Sequence, residues 1–223
     1  MSWSARCANG ASLPDTLARV AAEAAACRLC HASLPLGARP VFQVSETARV
    51  LVVSQAPGTK VHGSGLPFDD ASGDRLRAWL SMDRETFYDA SRMAFVPSGL
   101  CYPGRLPNGG DAPPRPECAP LWLRRFLPVL TSVRLTLVVG SYAQVNMLGK
   151  GARGDRVARW REFAPAVIPL PHPSWRTTGW ERKNPWFGAE LLPALRVAVS
   201  EALDKPEVAI DPEVCSPSYT SLL

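Results

Sequence analysis

The strongest constraint on the fold is a set of short apolar runs that end in turns. Val50-Leu51-Val52-Val53, Leu135-Thr136-Leu137-Val138-Val139 and Val167-Ile168-Pro169-Leu170 are near-continuous in apolar residues rather than alternating. Strands of this kind are buried on both faces, as in a parallel sheet covered by helices. Met93 to Val96 reads as a further short strand. Pro169 has no N–H to donate, which places its strand at an edge or a bulge. Helical stretches lie between the runs. Residues 15–26 read as an alanine-rich helix capped by Asp15. Gly73 to Leu80 puts Leu76, Trp79 and Leu80 on one face, and Pro116 to Leu130 spaces Leu121, Trp122, Arg125 and Phe126 helically. Ala143 to Leu148 and Trp186 to Leu203 complete the set, with Pro185 suited to a first turn. Strands alternating with helices give an α/β fold with a mostly parallel sheet covered on both faces.

A chain of 223 residues suits one large domain, or one domain with tails. Residues 1–14 read as a loose start, 15–203 as the domain, and 204–223 as a disordered tail with Pro206, Pro212 and Pro217. No run of about 18 apolar residues is present, so no membrane span is expected. The N-terminus lacks a signal-peptide pattern, and a cytoplasmic, monomeric protein is expected. The net charge is +5, which fits a polyanionic partner without requiring one. The excess is mostly arginine, whose planar fork of donors suits phosphate, although high-GC coding enriches arginine as well.

The layout carries a geometric expectation. Ligands of open α/β sheets bind beyond the carboxyl ends of the strands. The segments there are Ser54-Gln55-Ala56-Pro57-Gly58, Pro97-Ser98-Gly99, Gly140-Ser141-Tyr142 and Pro171-His172-Pro173-Ser174. They should converge on one rim.

Four of the six cysteines stand apart. Cys27 and Cys30 follow the first helix with two residues between them, and Cys101 and Cys118 bracket a Pro-rich stretch. A reducing compartment disfavours structural disulfides, so the four are expected to hold one metal centre. Thiolates alone do not choose between zinc and an iron–sulfur cluster, and buried, inert thiols are the plainer reading. A centre there would tie down the loop from Pro103 to Pro116, which is too long and irregular to bury much by itself.

The cysteine pair, the Gln55-Ala56-Pro57-Gly58 turn, Gly65 to Gly73 with Phe68, the Cys101/Cys118 spacing and His172-Pro173-Ser174 occur in a telling order. In that order the chain resembles the uracil-DNA glycosylase superfamily, and within it the iron–sulfur branch, families 4 and 5. The resemblance runs from Cys27 to about Leu195. It implies a three-layer sandwich with a central four-stranded parallel sheet flanked by helices. It also implies a [4Fe–4S] cluster on Cys27, Cys30, Cys101 and Cys118, with zinc as the alternative, and a DNA partner.

An enzyme of this kind flips a base out of the stack and hydrolyses its bond to deoxyribose. The resemblance places Phe68 under the flipped base and His172 as hydrogen-bond donor to the departing base. A neutral imidazole aimed at a developing anion stabilises it in a dry site. Relatives carry Asp just before the turn's proline, or Glu two before it; here Ala56 and Gln55 stand there. Asp70 is then the expected water activator, with Gln55 orienting water or contacting the base and Asp69 as alternate. Asp70 is equally placed to cap the helix near Gly73. Relatives read uracil with an Asn after the second strand; here Ser98 is the nearest polar side chain, with Ala56 and Gly58 completing the base site. His62, Ser174, Trp175, Arg176, Arg182 and Lys183 are the expected DNA contacts, with Trp175 or Arg176 as the wedge that fills the vacated stack.

The expected activity is therefore a monofunctional DNA glycosylase, with uracil as default substrate. One alternative is a glycosylase for another modified base with little uracil activity. Another is a metal-stabilised DNA-binding protein without catalysis.

Overall fold

A computed structural model describes residues 15–107, 109–149 and 155–204. The expected loose start, 1–14, and the expected tail beyond Asp204 lie outside the described residues.

Four strands form one sheet: β1 (Val50–Val53), β2 (Met93–Phe95), β3 (Leu135–Val139) and β4 (Val167–Leu170). Their order is β2-β1-β3-β4 and every pairing is parallel. Val50 pairs with Met93 on one side and Leu135 on the other, and Val138 with Pro169. Pro169 thus lies on an edge strand, where a missing N–H is tolerated. The other edge is covered. Gln43 and Phe95 exchange antiparallel backbone hydrogen bonds of 2.9 and 2.7 Å, and the Gln43 side-chain amide donates to Met93 O at 3.0 Å.

Side chains alternate between the two faces of each strand. Val50, Val52, Leu135, Leu137, Val139, Ile168 and Leu170 meet Leu76 and Trp79 of α3 (Ala71–Leu80) and Leu195 and Val199 of α9 (Leu192–Asp204). Leu51, Val53, Ala94 and Val138 meet Val20 and Ala24 of α1 (Leu17–Ala25), together with Leu123 and Phe126. The result is the three-layer α/β sandwich with a four-stranded parallel sheet.

The helix boundaries depart from the sequence expectations for local reasons. Thr16, not Asp15, caps α1: Thr16 Oγ1 accepts from Arg19 N at 3.3 Å. The Asp15 carboxylate is drawn off by Arg125, which donates to it twice at 2.9 Å. The stretch expected as one helix from Pro116 to Leu130 is a wide π turn (Ala119–Leu123), α5 (Arg124–Phe126) and a 3-10 turn (Leu127–Val129). Pro128 falls in that last turn, and Pro193 follows a second π turn at Phe187–Leu191, just inside α9. Proline cannot donate the i→i−4 bond, so the regular α pitch is broken near it. Short helices that periodicity did not flag are α2 (Thr59–Ser64), α4 (Arg84–Tyr88), α7 (Asp155–Ala158) and α8 (Thr178–Lys183). The remaining helix, α6 (Ser141–Leu148), begins two residues earlier than expected. Among the described residues no helix is long and apolar enough to cross a membrane.

Candidate active site

Three of the four segments beyond the strand ends meet at one pocket, and Gly140 of the fourth lies against His172. The pocket, of about 560 Å³ and partly open to solvent, is lined by Ser54 to Gly58 after β1, Pro97 after β2 and His172 after β4, with Phe68, Asp70 and Asp111. The β1–β2 ladder continues past the strands and fixes these turns. Val96 N donates to Val52 O at 3.0 Å, Ser98 N to Ser54 O at 2.8 Å and Gly99 N to Gln55 O at 2.9 Å.

Asp70 serves the helix behind it. It is the cap of α3, and its Oδ1 accepts from Gly73 N at 3.0 Å. Its Oδ2 lies toward the β1 turn, 3.7 Å from where a Cβ on Gly58 would stand. One carboxylate oxygen is thus engaged at the cap, and the other is turned toward the Gln55–Gly58 turn. The cap reading of Asp70 is correct, and the helix starts at Ala71, earlier than Gly73, because of it.

Phe68 has a left-handed backbone, with φ of 56°. Tyr88 Oη donates to its carbonyl at 3.1 Å, and its ring meets Phe95 and Phe87 with centroids 5.8 and 6.3 Å apart. The side chain is half-buried: it packs on the core and also walls the pocket.

His172 lies over Gly140, the residue that ends β3; a Cβ there would stand 3.5 Å from the imidazole Cδ2. The His172 carbonyl accepts from Ser174 N at 2.8 Å and from the Thr177 hydroxyl. Burial pulls the imidazole pKa below its ordinary 6.5, against the opposing pull of the Asp70 and Asp111 carboxylates. The neutral ring is therefore favoured at pH 7. Arg75 on α3 ties this segment to the helix that Asp70 caps. It donates to Ser174 O at 3.1 Å and Thr178 Oγ1 at 3.0 Å, and pairs with Glu181 at 2.7 Å.

The pocket gathers Gln55, Ala56, Gly58, Phe68, Asp70 and His172 as expected. It does not include Ser98, which is 1% exposed with a hydroxyl that has no partner. The ladder bond to Ser54 O pins its backbone there. His62 is not on a loop but on α2, half-buried, its ring 6.0 Å from that of Tyr102. Burial, and then Arg39, hold the pKa of His62 down. Asp69 turns away to Arg84, which donates to it at 3.0 Å and lowers its pKa. Ser174 is half-buried, Arg176, Arg182 and Lys183 are exposed, and Trp175 is 77% exposed with the Arg176 guanidinium 5.6 Å from its ring centre. Sequence reasoning missed Asp111 and Arg75, whereas Gly140 was named among the post-strand turns. Asp111 sits in an aperiodic Pro/Gly stretch, and Arg75 is one arginine of an arginine-rich chain.

The four cysteines meet in a second cavity. Cys27, Cys30, Cys101 and Cys118 line it with Leu34, Pro40, Leu100, Trp122 and Arg115, and all four are free thiols. Leu100 N donates to Cys118 Sγ at 3.2 Å. Burial pushes the Cys101 thiol up to about 11 and Cys118 to about 12. Among the described residues no three His, Cys, Asp or Glu side chains are arranged to hold a single metal ion. The four share a wall rather than a point. The two cavities are neighbours: Pro97 lines the first and Gly99, Leu100 and Cys101 the second, while Val41 of the first follows Pro40 of the second.

Residues 41–196 match the profile of the Uracil DNA glycosylase superfamily. The chain belongs to that superfamily. The match contains every pocket residue together with Cys101 and Cys118, and begins after Cys27 and Cys30. Membership in the uracil-DNA glycosylase superfamily makes the chain a DNA glycosylase in general terms, a hydrolase of base-excision repair with DNA as its partner.

Proposed function

We propose that the chain is a monofunctional DNA glycosylase that hydrolyses the N-glycosidic bond of a flipped base. The observation that carries this reading is the shared pocket of Phe68, Asp70, His172 and Gln55 beyond the strand ends. Phe68 supplies the stacking wall. His172, neutral at pH 7, donates a hydrogen bond to the base as it leaves with the electron pair of the C1′–N bond. Water, oriented by Gln55, adds to C1′, and its proton passes to Asp70 Oδ2. No lysine lines the pocket among the described residues, which supports hydrolysis over amine attack on the sugar. Trp175, the exposed ring beside Arg176, is the wedge, and Lys183 and Arg182 contact phosphate.

Uracil is the default substrate. A second reading, a different modified base, is favoured by two observations: Ala56 and Gln55 occupy the turn, and Ser98 does not line the pocket. Duplexes carrying uracil, hypoxanthine, xanthine or a bulky modified cytosine, assayed for abasic products, decide between them. Wild type that releases no base from any of them, yet binds DNA, supports the non-catalytic alternative instead.

For the cysteines we propose a [4Fe–4S] cluster held by Cys27, Cys30, Cys101 and Cys118. The residues fit such a group: four free thiols face one cavity with a largely apolar wall. Burial favours the neutral thiols of Cys101 and Cys118, so a metal centre would bind here by displacing their protons. The cluster would be structural, tying the segment between Cys101 and Cys118 to the helix α1 side of the molecule.

A further inference from the structure

The segment between Cys101 and Cys118 delivers a second carboxylate to the pocket. Its tip is folded back on itself: Arg105 and Asp111 form an antiparallel bridge. Leu106 N donates to Gly110 O at 2.7 Å, and Ala112 N to Gly104 O at 2.9 Å. At its base Pro114 lies against Gly99, where a Cβ would come within 2.8 Å of it. The turn so braced sets Asp111 in the pocket wall with Asp70, close enough to act on the charge of His172. Among the described residues Asp111 makes no ion pair or side-chain hydrogen bond. Asp70, in contrast, is engaged at the cap of α3.

Asp111 is exposed, so water serves its carboxylate until a base enters, and a base that displaces that water must then supply a donor of its own. An ionised carboxylate only accepts hydrogen bonds. A base carbonyl opposite it would set two acceptors against each other as the pocket is desolvated, while an amino group would make a charge-assisted bond. We propose that Asp111 reads the flipped base through an exocyclic amino group, and so favours amino-bearing over oxo-bearing bases. This rests on the glycosylase reading above, follows its second reading of a modified base other than uracil, and names the substrate class of that same pocket.

Matched lesions test it. 5-Formylcytosine and 5-formyluracil differ on one edge, an amino group beside an accepting N3 in the cytosine and an oxo group beside a donating N3–H in the uracil. Release of each from the same duplex is measured as kcat/KM for wild type, Asp111→Asn and Asp111→Glu. The expected result is wild-type preference for the cytosine, and a shift of that ratio toward the uracil by about tenfold to a hundredfold in Asp111→Asn. Asp111→Glu keeps the carboxylate and should keep the sign of the preference. An active wild type whose ratio is unmoved in Asp111→Asn overturns the role of Asp111 alone. A wild type that releases neither base, nor any lesion of the wider panel, overturns the glycosylase reading and this inference with it.

Discussion

Gly73 lies so close beneath Phe68 that a Cβ on it would come within 1.7 Å of the Phe68 carbonyl oxygen. The first turn of α3 and the left-handed Phe68 backbone are therefore built against each other, and only glycine fits the contact. Gly73→Ala should force the two apart. Overpacking of this kind destabilises by about 1–3 kcal/mol. The displaced ring should also weaken base release beyond what the lost stability explains. Thermal melting and single-turnover release measure the two effects. A variant that melts with wild type would show that the turn yields at no cost.

Asp70 has two roles that substitution can separate. Asparagine caps a helix about as well as aspartate, so Asp70→Asn should change stability by no more than a few tenths of a kcal/mol. It cannot accept the proton of water, so base release should fall by about 10²–10⁴-fold. Asp70→Ala should lose the same activity and about 1 kcal/mol of stability besides. Equal activity of Asp70→Asn and wild type would move the water-activating role elsewhere in the pocket.

These two residues also show what was legible in the sequence. The apolar runs, the edge position of Pro169 and the convergence of the post-strand turns followed from pattern, because burial on both faces leaves few arrangements for such strands. Gln55 and His172 stood out because they follow strands, and Phe68 and Asp70 because the resemblance to the superfamily pointed to them. Arg75 and Asp111 did not stand out, because their positions depend on contacts across long sequence separations. Arg75 reaches Ser174 and Glu181 on a distant segment, and Asp111 rides on a hairpin-like turn with no periodicity. Ser98 was misplaced because a strand-end position does not tell which way a side chain faces once the ladder runs on.

His172 should set an acid limb below the ordinary histidine range. Its folded pKa is lowered from 6.5, chiefly by burial. Between the folded value and 6.5 the unfolded chain binds the extra proton, so stability rises with pH across that window and is lost as pH falls through it. Above 6.5 the effect is flat. The neutral, donating ring persists to lower pH than a free imidazole would. In a kcat/KM profile the limb removed by His172→Gln should lie below 6.5, and Asp111→Asn should move it lower still, since that carboxylate raises the pKa. A limb at or above 6.5 that disappears in His172→Gln contradicts this account.

Arg75 should act as a positioning residue. Its three bonds join α3 to the segment that carries His172. Arg75→Ala leaves Glu181 without its cation, and the loss should be about 1–3 kcal/mol. Small misplacements at a reacting centre cost up to about 10²-fold, so kcat should fall more than KM rises. Arg75→Lys keeps the charge without the fork and should restore stability only in part. If kcat survives in Arg75→Ala, the His172 segment is held by its own turn.

The cysteine site makes a compositional prediction. Chain purified without oxygen should carry about four irons, a visible absorption band that bleaches on reduction, and little zinc. Cys118→Ser should lose the colour and the iron together, since Cys118 is one of four thiols on a single cavity wall. The consequence should reach the pocket, because Gly99 and Leu100 of that wall adjoin Pro97 and the segment bearing Asp111. Proteolysis between Cys101 and Cys118 should therefore become faster in Cys118→Ser, while cleavage elsewhere in the domain stays slow. A colourless, zinc-loaded wild type would replace the cluster by zinc and keep the four-cysteine site. A metal-free wild type that resists proteolysis in that segment would leave the four cysteines as buried thiols.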